Sequence, residues 1–300
     1  MSNPRALPDA LPEEWIDATG PVESGKLPPG VWQSLLAGYC AFTTFRWPLS
    51  EARLTRHVTR LIAHGDAMGI TAPALATPHI RNTLTDLAQR QGEAISLAFR
   101  LTLAPDASQA GALWQGGGPW PARLLISLRS ISGRQRAPLN EHAQGASLQI
   151  VGYEKAFPAL KHGALAEAML LRQSARRAGF DDALWRNQRG LLSESSVANV
   201  FWIRDGALWT PDPQGDGCLA GITRAEVLQI ATANGVEVVE QALATDDLRT
   251  VSGGFLTNAV QGLWPIARAQ ETVMPWPPAA RALLTGLQAE YNALDSLSSS

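Results

Sequence analysis

The chain has 300 residues, of which 45% are hydrophobic and 17% charged, and its formal net charge is -2. This length and composition predict a soluble globular protein with a core large enough for two domains. The lack of a basic surplus argues against nucleic acid or an anionic membrane as a partner and leaves small polar ligands open.

The N-terminus and the cysteines argue against a secreted, membrane-spanning, disulfide-rich or zinc-binding protein. Residues 1–15 lack the charged-then-apolar layout of a signal peptide, and no stretch approaches the roughly eighteen uninterrupted apolar residues of a membrane span. We therefore expect a cytoplasmic protein. Cys40 and Cys218 are too few and too far apart to predict a disulfide framework or a zinc site, and the five histidines form no ligand-spaced pair, so we expect no metal.

Hydrophobic periodicity and turn residues divide the N-terminal half into segments. Residues 1–30 are rich in proline and glycine and predict an irregular lead-in. The pattern then predicts a strand (38–47), two helices (50–65 and 78–92), a strand (93–105), a glycine-rich loop (106–121) and a strand (122–131). The polar segment 132–145 has no periodicity and predicts a linker, which places a domain boundary between 1–132 and 133–300.

The C-terminal half mixes strands and helices without a regular repeat. The predicted elements are a strand (146–154), a helix (163–178), a strand (181–187), a hairpin (200–210, turning at Asp205-Gly206), a helix (223–235), a strand (236–244), a helical turn from Thr245, a strand (253–260) and a helix (278–293). This order favours an α+β (mixed α/β) fold over a doubly wound sheet. The nucleotide-binding motifs GxGxxG and GxxxxGK(S/T) are absent, as is GxSxG.

The start of the helix predicted at 223–235 suits an anion. Thr223 and Glu226 match a capping box, and Gly221 just before them allows a tight turn. Such a start presents free N–H groups and the positive end of the helix dipole, which suit a phosphate. A helix cap that binds nothing is the alternative, because most capped helices bind no anion.

Two ionisable residues stand in apolar or small-residue surroundings. Lys161 lies where a proline-containing run meets a helix of small and apolar residues. Partial desolvation would lower the pKa of its ammonium and make it a nucleophile and base, whereas a lysine that snorkels to the surface is the alternative. The chain has only two other lysines, Lys26 and Lys155. Glu194 precedes a strand of buried character, where a carboxylate needs a partner.

In their order along the chain, these pieces resemble the fold-type IV pyridoxal-phosphate enzymes, which include branched-chain and D-amino-acid aminotransferases and aminodeoxychorismate lyase. The motifs are Lys161, then Glu194 with Asn199 in ESSVANVFW, then DGALWTP, GITR and FLTNAVQGLWPI. The resemblance implies a smaller N-terminal α/β domain (1–132) and a larger C-terminal domain (133–300). It also implies pyridoxal 5'-phosphate as the cofactor, bound between the domains near the interface of a homodimer.

The resemblance also implies roles for single residues. Lys161 would form the Schiff base with the cofactor aldehyde and then move protons, while Glu194 would keep the pyridine nitrogen protonated so that the ring can draw electrons. The phosphate would lie on the backbone N–H groups of Ile222 and Thr223 and on the Thr223 hydroxyl. Arg60, which matches an H-x-x-R-L motif in RHVTRL, would reach the phosphate from the first domain; a solvated helix residue is the alternative.

Three further residues are candidates for cofactor binding. Asn199 follows Glu194 by five positions within the same motif. Counting back without gaps from Pro265 puts the aminotransferases' phosphate-binding threonine on Ala259, whereas this chain has Thr257 and Asn258 beside it. We therefore keep Thr257 and Asn258 as candidates, and backbone N–H groups would bind the phosphate in place of the missing threonine.

Within the family, the motifs look most like aminodeoxychorismate lyase. The shared features are LKH at Lys161, ANVFW, TNAVQGLWPI and FTT at 42–44. The expected reaction converts 4-amino-4-deoxychorismate, a small amino substrate, to 4-aminobenzoate and pyruvate for folate biosynthesis. Departures from the lyases at 163–165 and 38–40 keep an aminotransferase for branched-chain or D-amino acids as the alternative. A binding protein that keeps the fold without catalysis is a third alternative.

Overall fold

Two β-sheets organise a computed structural model of the protein, which describes residues 15–17, 20–22, 29–91, 96–106, 113, 116, 118–131 and 145–295. The first sheet contains β1 (Trp15–Asp17), β2 (Gly20–Val22), β3 (Ala41–Trp47), β4 (Ile70–Thr71), β5 (Leu97–Pro105) and β6 (Trp120–Ser130). Its order is β2-β1-β6-β5-β3, with β4 parallel to β6. The helices among the described residues of this half are α1 (Pro29–Leu36), α2 (Glu51–Ala67) and α3 (Thr77–Arg90).

Helix α2 forms where an apolar stripe follows a good N-cap. The Ser50 hydroxyl accepts a hydrogen bond from the backbone N–H of Arg53, and Leu54, Val58 and Leu61 recur at helical spacing. These three side chains are buried in a core with strands β3, β5 and β6. Other faces of α2 carry Arg53 and Arg60, which contact residues of the C-terminal half.

The second sheet closes on itself. Its strands are β7 (Ala146–Gly152), β8 (Asp182–Arg186), β9 (Leu192–Ser195), β10 (Asn199–Arg204), β11 (Ala207–Thr210), β12 (Val238–Glu240), β13 (Gly253–Asn258), β14 (Gly262–Ala269) and β15 (Thr272–Val273). Eight of them follow the order β12-β11-β10-β13-β14-β7-β8-β9, β15 pairs with β14, and β9 pairs again with β10. Strands β9 and β10, which carry two predicted site residues, are thereby held side by side.

Three helices and one short 3-10 helix accompany the second sheet. They are α4 (Ala166–Arg177), α5 (Ile222–Ala233), α6 (Pro278–Ala293) and the 3-10 helix Thr245–Arg249. Helices α5 and α6 bury their apolar faces in the same core as β10 and β13. None of the helices in the described parts of the chain has both the length and the apolar composition needed to cross a lipid bilayer.

The mixed α/β fold class is confirmed, and some local predictions need correction. The lead-in at 1–30 is not wholly irregular, because β1 and β2 pair and Ile16 of β1 lies opposite Ile126 of β6. Strand β14 was missed since Pro265 stands inside it, and β9 is too short for a clear alternation. The loop at 106–121 and the linker at 132–145 lie largely outside the described residues, so the boundary at 132/133 stays a prediction.

Candidate active site

A cavity of about 340 Å³ opens between the two sheets, in the size range of small-molecule sites. Its walls include Phe42 and His57 from the N-terminal half and Leu219 and Val260 from the C-terminal half. The eight residues predicted as catalytic or cofactor-binding all line it: Arg60, Lys161, Glu194, Asn199, Ile222, Thr223, Thr257 and Asn258. Residues that are far apart in sequence thus line the same cavity.

Lys161 is anchored through its backbone to two neighbouring elements of the N-terminal half. Its N–H donates to Nδ1 of His64 on α2 at 3.0 Å, and its C=O accepts from the N–H of Phe42 on β3 at 3.0 Å. Its ammonium nitrogen lies 4.7 Å from the centroid of the Phe42 ring. Burial, reinforced by the positive charges of Arg60 and Lys155, lowers the pKa of Lys161 to about 7. A large share of this amine is therefore neutral near neutral pH.

The hydrogen bond to Lys161 requires that Nδ1 of His64 carry no proton. Burial and the nearby charges of Arg60 and Lys161 lower the pKa of His64 to about 4, so the ring is neutral at physiological pH. A neutral His64 accepts the backbone hydrogen bond and adds no further positive charge beside Lys161.

Glu194 is buried and already has two partners. One carboxylate oxygen accepts the backbone N–H of Leu219 at 3.0 Å, and the other lies 3.5 Å from the ammonium nitrogen of Lys155. Burial raises the pKa of Glu194, while Lys155 and the Leu219 N–H act in the opposite direction because they favour the ionised form. We call Glu194, Lys155 and Leu219 the carboxylate end of the cavity.

Asn199 holds the loop that leads into α5. It pairs with Glu194 in the β9–β10 register, and its side-chain amide donates to the C=O of Leu219 at 2.8 Å. Glu194 and Asn199 thus form hydrogen bonds with the N–H and the C=O of Leu219, respectively. A Cβ atom at Gly221 would lie 2.1 Å from the amide oxygen of Asn199, so glycine is required where this loop becomes the helix.

The predicted capping box at the start of α5 is wrong. The N-cap is Gly221, and no side chain makes a cap hydrogen bond. The Thr223 hydroxyl instead lies 3.3 Å from the Tyr291 hydroxyl, and Glu226 forms an ion pair with Arg53. Because the side chains of Thr223 and Glu226 bond to Tyr291 and Arg53 instead, they do not cap α5. The first N–H groups of this helix therefore remain able to bind an anion.

Arg60 reaches this helix start from α2. Its Nη2 donates to the Thr43 hydroxyl at 3.1 Å, and its Nη1 lies 3.5 Å from the C=O of Ala220. Its Nε is buried with no hydrogen-bond partner among the described residues. Burial lowers the pKa of Arg60 to about 10, which leaves the guanidinium charged at neutral pH. We call Arg60, Ile222 and Thr223 the helix end of the cavity.

His57 sets the orientation of the hydroxyl that Arg60 contacts. Its Nδ1 lies 2.7 Å from the Thr43 hydroxyl oxygen. Burial lowers the pKa of His57 well below its ordinary value, with Arg60 and Arg53 acting in the same direction. A neutral His57 can accept the hydroxyl hydrogen of Thr43 while that oxygen accepts from Arg60, so both bonds are satisfied at once.

The two candidates near the end of β13 differ in what their side chains do. The Thr257 hydroxyl is buried and has no hydrogen-bond partner among the described residues. The Asn258 side chain is engaged in the β13–β14 turn, where its oxygen accepts the N–H groups of Val260 and Gln261 at 3.0 and 2.8 Å. Thr257 therefore has the free hydroxyl, and Asn258 shapes the turn.

The sequence patterns did not predict His57, Lys155 or Tyr291, which the structure brings to the site. His57 lies in the same RHVTRL stretch as Arg60, so the motif itself carried a signal for it. No local pattern places Lys155 beside Glu194, which is 39 residues away. Tyr291 lies 68 residues from Thr223 and 238 from Arg53, and these contacts depend on how α2, α5 and α6 pack together.

The donor set fits pyridoxal 5'-phosphate. Unpartnered buried groups at Arg60 and Thr257, together with uncapped N–H groups at Ile222 and Thr223, suit a phosphate. A buried carboxylate at Glu194 suits a protonated ring nitrogen, and a buried amine of low pKa at Lys161 suits an aldehyde.

The chain is similar in sequence to several known proteins. The family model for class IV amino-transferases matches residues 41–269. The chain is 33% identical over 108 residues to the branched-chain-amino-acid aminotransferase of Pseudomonas aeruginosa, a match that covers 36% of this chain and 34% of that protein. It is 26% identical over 218 residues to a probable branched-chain-amino-acid aminotransferase of Rickettsia felis, covering 69% of each.

Among solved structures, the branched-chain aminotransferase of the archaeon Thermoproteus uzoniensis with norvaline superposes with a TM-score of 0.78. The match covers 93% of both chains at 20% identity, which supports the fold. The aligned region spans about a third of the Pseudomonas aeruginosa relative and about two thirds of the Rickettsia felis one.

Proposed function

Since the chain belongs to the class IV aminotransferase family, we propose that it is a pyridoxal 5'-phosphate-dependent aminotransferase for amino acids of the branched-chain type. The observation that carries the proposal is the cavity that joins the Lys161 amine, the Glu194 carboxylate and the uncapped start of α5. The relatives above are named as branched-chain aminotransferases, which favours this alternative over the lyase that the sequence motifs put first.

The residues divide the work between binding and proton transfer. When bound, pyridoxal 5'-phosphate supplies an aldehyde for the amino group and a ring that takes up electrons. The neutral amine of Lys161 would take the proton from the amine-bearing carbon of the substrate and return a proton during the transfer. Glu194 would hold the ring nitrogen in its protonated form, and Arg60 with the N–H groups of Ile222 and Thr223 would hold the phosphate.

The remaining cavity wall suits an amino acid with an apolar side chain. It contains the apolar residues Ile131, Leu165, Met169, Val197 and Val260. The same wall includes Arg129 and Arg172, of which Arg172 lies 3.8 Å from the Asp182 carboxylate, and arginine is a side chain that commonly binds a substrate carboxylate. An amino acid with a small apolar side chain matches both features, and norvaline, present in the Thermoproteus uzoniensis structure, is such an amino acid.

Aminodeoxychorismate lyase is the second candidate because the motif residues that resemble it face the cavity. Phe42 and Thr44 of the FTT run and His162 of LKH all line the wall. The two activities differ in the need for a second substrate, since the lyase releases pyruvate and 4-aminobenzoate without a keto acid.

The test is an amino-transfer assay with the purified protein, the cofactor, a panel of amino acids and 2-oxoglutarate. For an aminotransferase we expect new glutamate only when both substrates are present, with branched-chain amino acids preferred. Incubation with 4-amino-4-deoxychorismate alone is the opposing arm. Pyruvate and 4-aminobenzoate formed there, without any transfer in the first arm, would overturn the aminotransferase in favour of the lyase.

The proposal includes a cytoplasmic homodimer. Met169 and Val197, which line the cavity, are 67% and 42% exposed, and Leu170 beside Met169 is 64% exposed, so a second copy could cover this apolar surface. Light scattering should give a dimer for the wild type and a monomer for the variant with Met169→Glu and Leu170→Glu. Val273→Glu, at a 70% exposed position on β15, should stay dimeric. A monomeric wild type would contradict this part of the proposal.

A further inference from the structure

Arg53 forms a buried junction between α2 and the two helices α5 and α6. Its Nε and Nη2 each lie 3.0 Å from one carboxylate oxygen of Glu226 on α5, in a bidentate pair. Its Nη1 donates to Asp295, just after α6. Its Nη2 also donates to the hydroxyl of Tyr291 on α6 at 2.6 Å. Arg53 is 4% exposed and Tyr291 is fully buried, so this geometry is held by packing on all sides.

The junction continues to the helix end of the cavity. The Tyr291 hydroxyl lies 3.3 Å from the hydroxyl of Thr223, which lines the cavity in the first turn of α5. The path Arg53, Tyr291, Thr223 therefore runs from the salt bridge with Glu226 to the place where the phosphate is proposed to bind.

The chemistry of arginine fixes the direction of the first hydrogen bond on this path. A guanidinium group can only donate hydrogen bonds, so the Tyr291 oxygen must accept from Arg53. Either hydroxyl can be the donor in the contact between Tyr291 and Thr223. In the arrangement in which Tyr291 donates, the Thr223 oxygen accepts, and the Thr223 hydroxyl keeps its own hydrogen for an acceptor on the cavity side.

We propose that Arg53 and Tyr291 are positioning residues that turn the Thr223 hydroxyl hydrogen toward the cofactor phosphate. The inference rests on the cofactor site proposed above. It gives Arg53 and Arg60, two of the three arginines of α2, different tasks, although they lie seven residues apart and thus about two turns along one helix. Arg60 has an Nε without a partner among the described residues and would meet the phosphate directly, whereas Arg53 acts through Tyr291.

The direct test is Tyr291→Phe, which removes the hydroxyl and keeps the buried ring. The Thr223 hydroxyl then loses the donor that orients it, so we expect the Kd for pyridoxal 5'-phosphate to rise about 5- to 10-fold. The Kd for pyridoxal, which has no phosphate, should stay unchanged. The phosphorus NMR shift of the bound cofactor should also change, since one hydrogen bond to the phosphate is lost or misdirected.

A double-mutant cycle separates orientation from general damage to the fold. Thr223→Val removes the hydroxyl at nearly constant shape, and in that background Tyr291→Phe should no longer alter the ratio of the two Kd values. Tyr153→Phe is the matched control, because the Tyr153 hydroxyl also bonds a charged side chain, that of Glu167, but does so away from this cavity. Arg53→Lys keeps the charge and loses the guanidinium fork, so it should reproduce the selective loss if Tyr291→Phe fails to fold.

Three outcomes would overturn the inference. Equal weakening of pyridoxal and pyridoxal 5'-phosphate, or additive effects in the cycle, would assign Tyr291 a purely structural role. An unchanged Kd in Tyr291→Phe would overturn the inference while leaving the cofactor site intact. A wild type that does not prefer pyridoxal 5'-phosphate to pyridoxal would overturn both the inference and the proposed cofactor site.

Discussion

At the carboxylate end of the cavity, Glu194 already accepts the Leu219 N–H and lies beside Lys155, whereas at the helix end the Nε of Arg60 has no partner among the described residues. The first end is organised before any ligand binds. The second keeps polar groups without partners, which costs free energy until an anion satisfies them. We therefore propose that the two ends contribute differently, with the helix end supplying affinity for a phosphate and the carboxylate end supplying a charge that is fixed in place for chemistry.

The largest effect should come from replacing Lys161, whose amine lines the same cavity as the two ends. Lys161→Ala removes the base and the nucleophile together, so we expect turnover to fall about 10³-fold or more. Initial rates of amino transfer give the measurement. Lys155→Ala is the matched control from the same cavity and should retain far more activity; equal losses in the two variants would mean that Lys161 has no special role.

Glu194→Gln tests the fixed charge of the carboxylate end. The amide keeps the shape but cannot hold a protonated ring nitrogen through an ionic hydrogen bond, so turnover should fall about 10- to 150-fold, which corresponds to about 1.5–3 kcal/mol. The Kd of the cofactor should change little by comparison. Glu240→Gln, at a half-exposed ion pair with Arg224, is the control. Unchanged turnover in Glu194→Gln would show that the carboxylate serves another purpose.

Arg60→Gln tests the helix end, where we expect the affinity for the cofactor to change more than turnover. It should raise the Kd for pyridoxal 5'-phosphate about 10- to 100-fold and leave the Kd for pyridoxal nearly unchanged, since the loss is a charge-assisted hydrogen bond to the phosphate. Arg56→Gln, from the exposed face of the same helix, should behave like the wild type. If turnover at saturating cofactor collapsed while the Kd stayed constant, the division of tasks between the two ends would be wrong.

The smallest effect concerns the pH at which Lys161 becomes neutral. The pKa of Lys161 is lowered to about 7 by burial first and by nearby charges, including that of Lys155, second. Lys155→Met removes one of those charges, so the pKa of Lys161 should rise and its labelling by an amine reagent in the cofactor-free protein should require a higher pH. Mass spectrometry of the labelled peptide follows this midpoint. Lys155→Arg keeps the charge and should keep the wild-type midpoint; a downward shift in Lys155→Met would contradict the expected electrostatics.

Local patterns predicted much of the fold. The β10–β11 hairpin follows from its alternation and from Asp205-Gly206, whose φ angles of 52° and 81° are those that a tight hairpin turn needs. The helix 278–293 matches α6 at both ends. The proline inside β14 hid a strand, because a proline in an apolar run normally argues against one.

Local patterns also predicted part of the site. Lys161, Glu194 and Arg60 could be placed because each belongs to a short motif. The capping box failed since its two side chains, those of Thr223 and Glu226, bond instead to residues of α6 and α2. Contacts of that kind depend on tertiary packing between distant segments, which no short motif encodes.

The most direct test of the central claim is to find where the cofactor becomes attached. The protein is incubated with pyridoxal 5'-phosphate, treated with borohydride and digested, and the peptides are mapped by mass spectrometry. We predict the mass of the reduced cofactor on Lys161. Its appearance on Lys155 or Lys26 instead, or on no lysine at all, would contradict the proposed site.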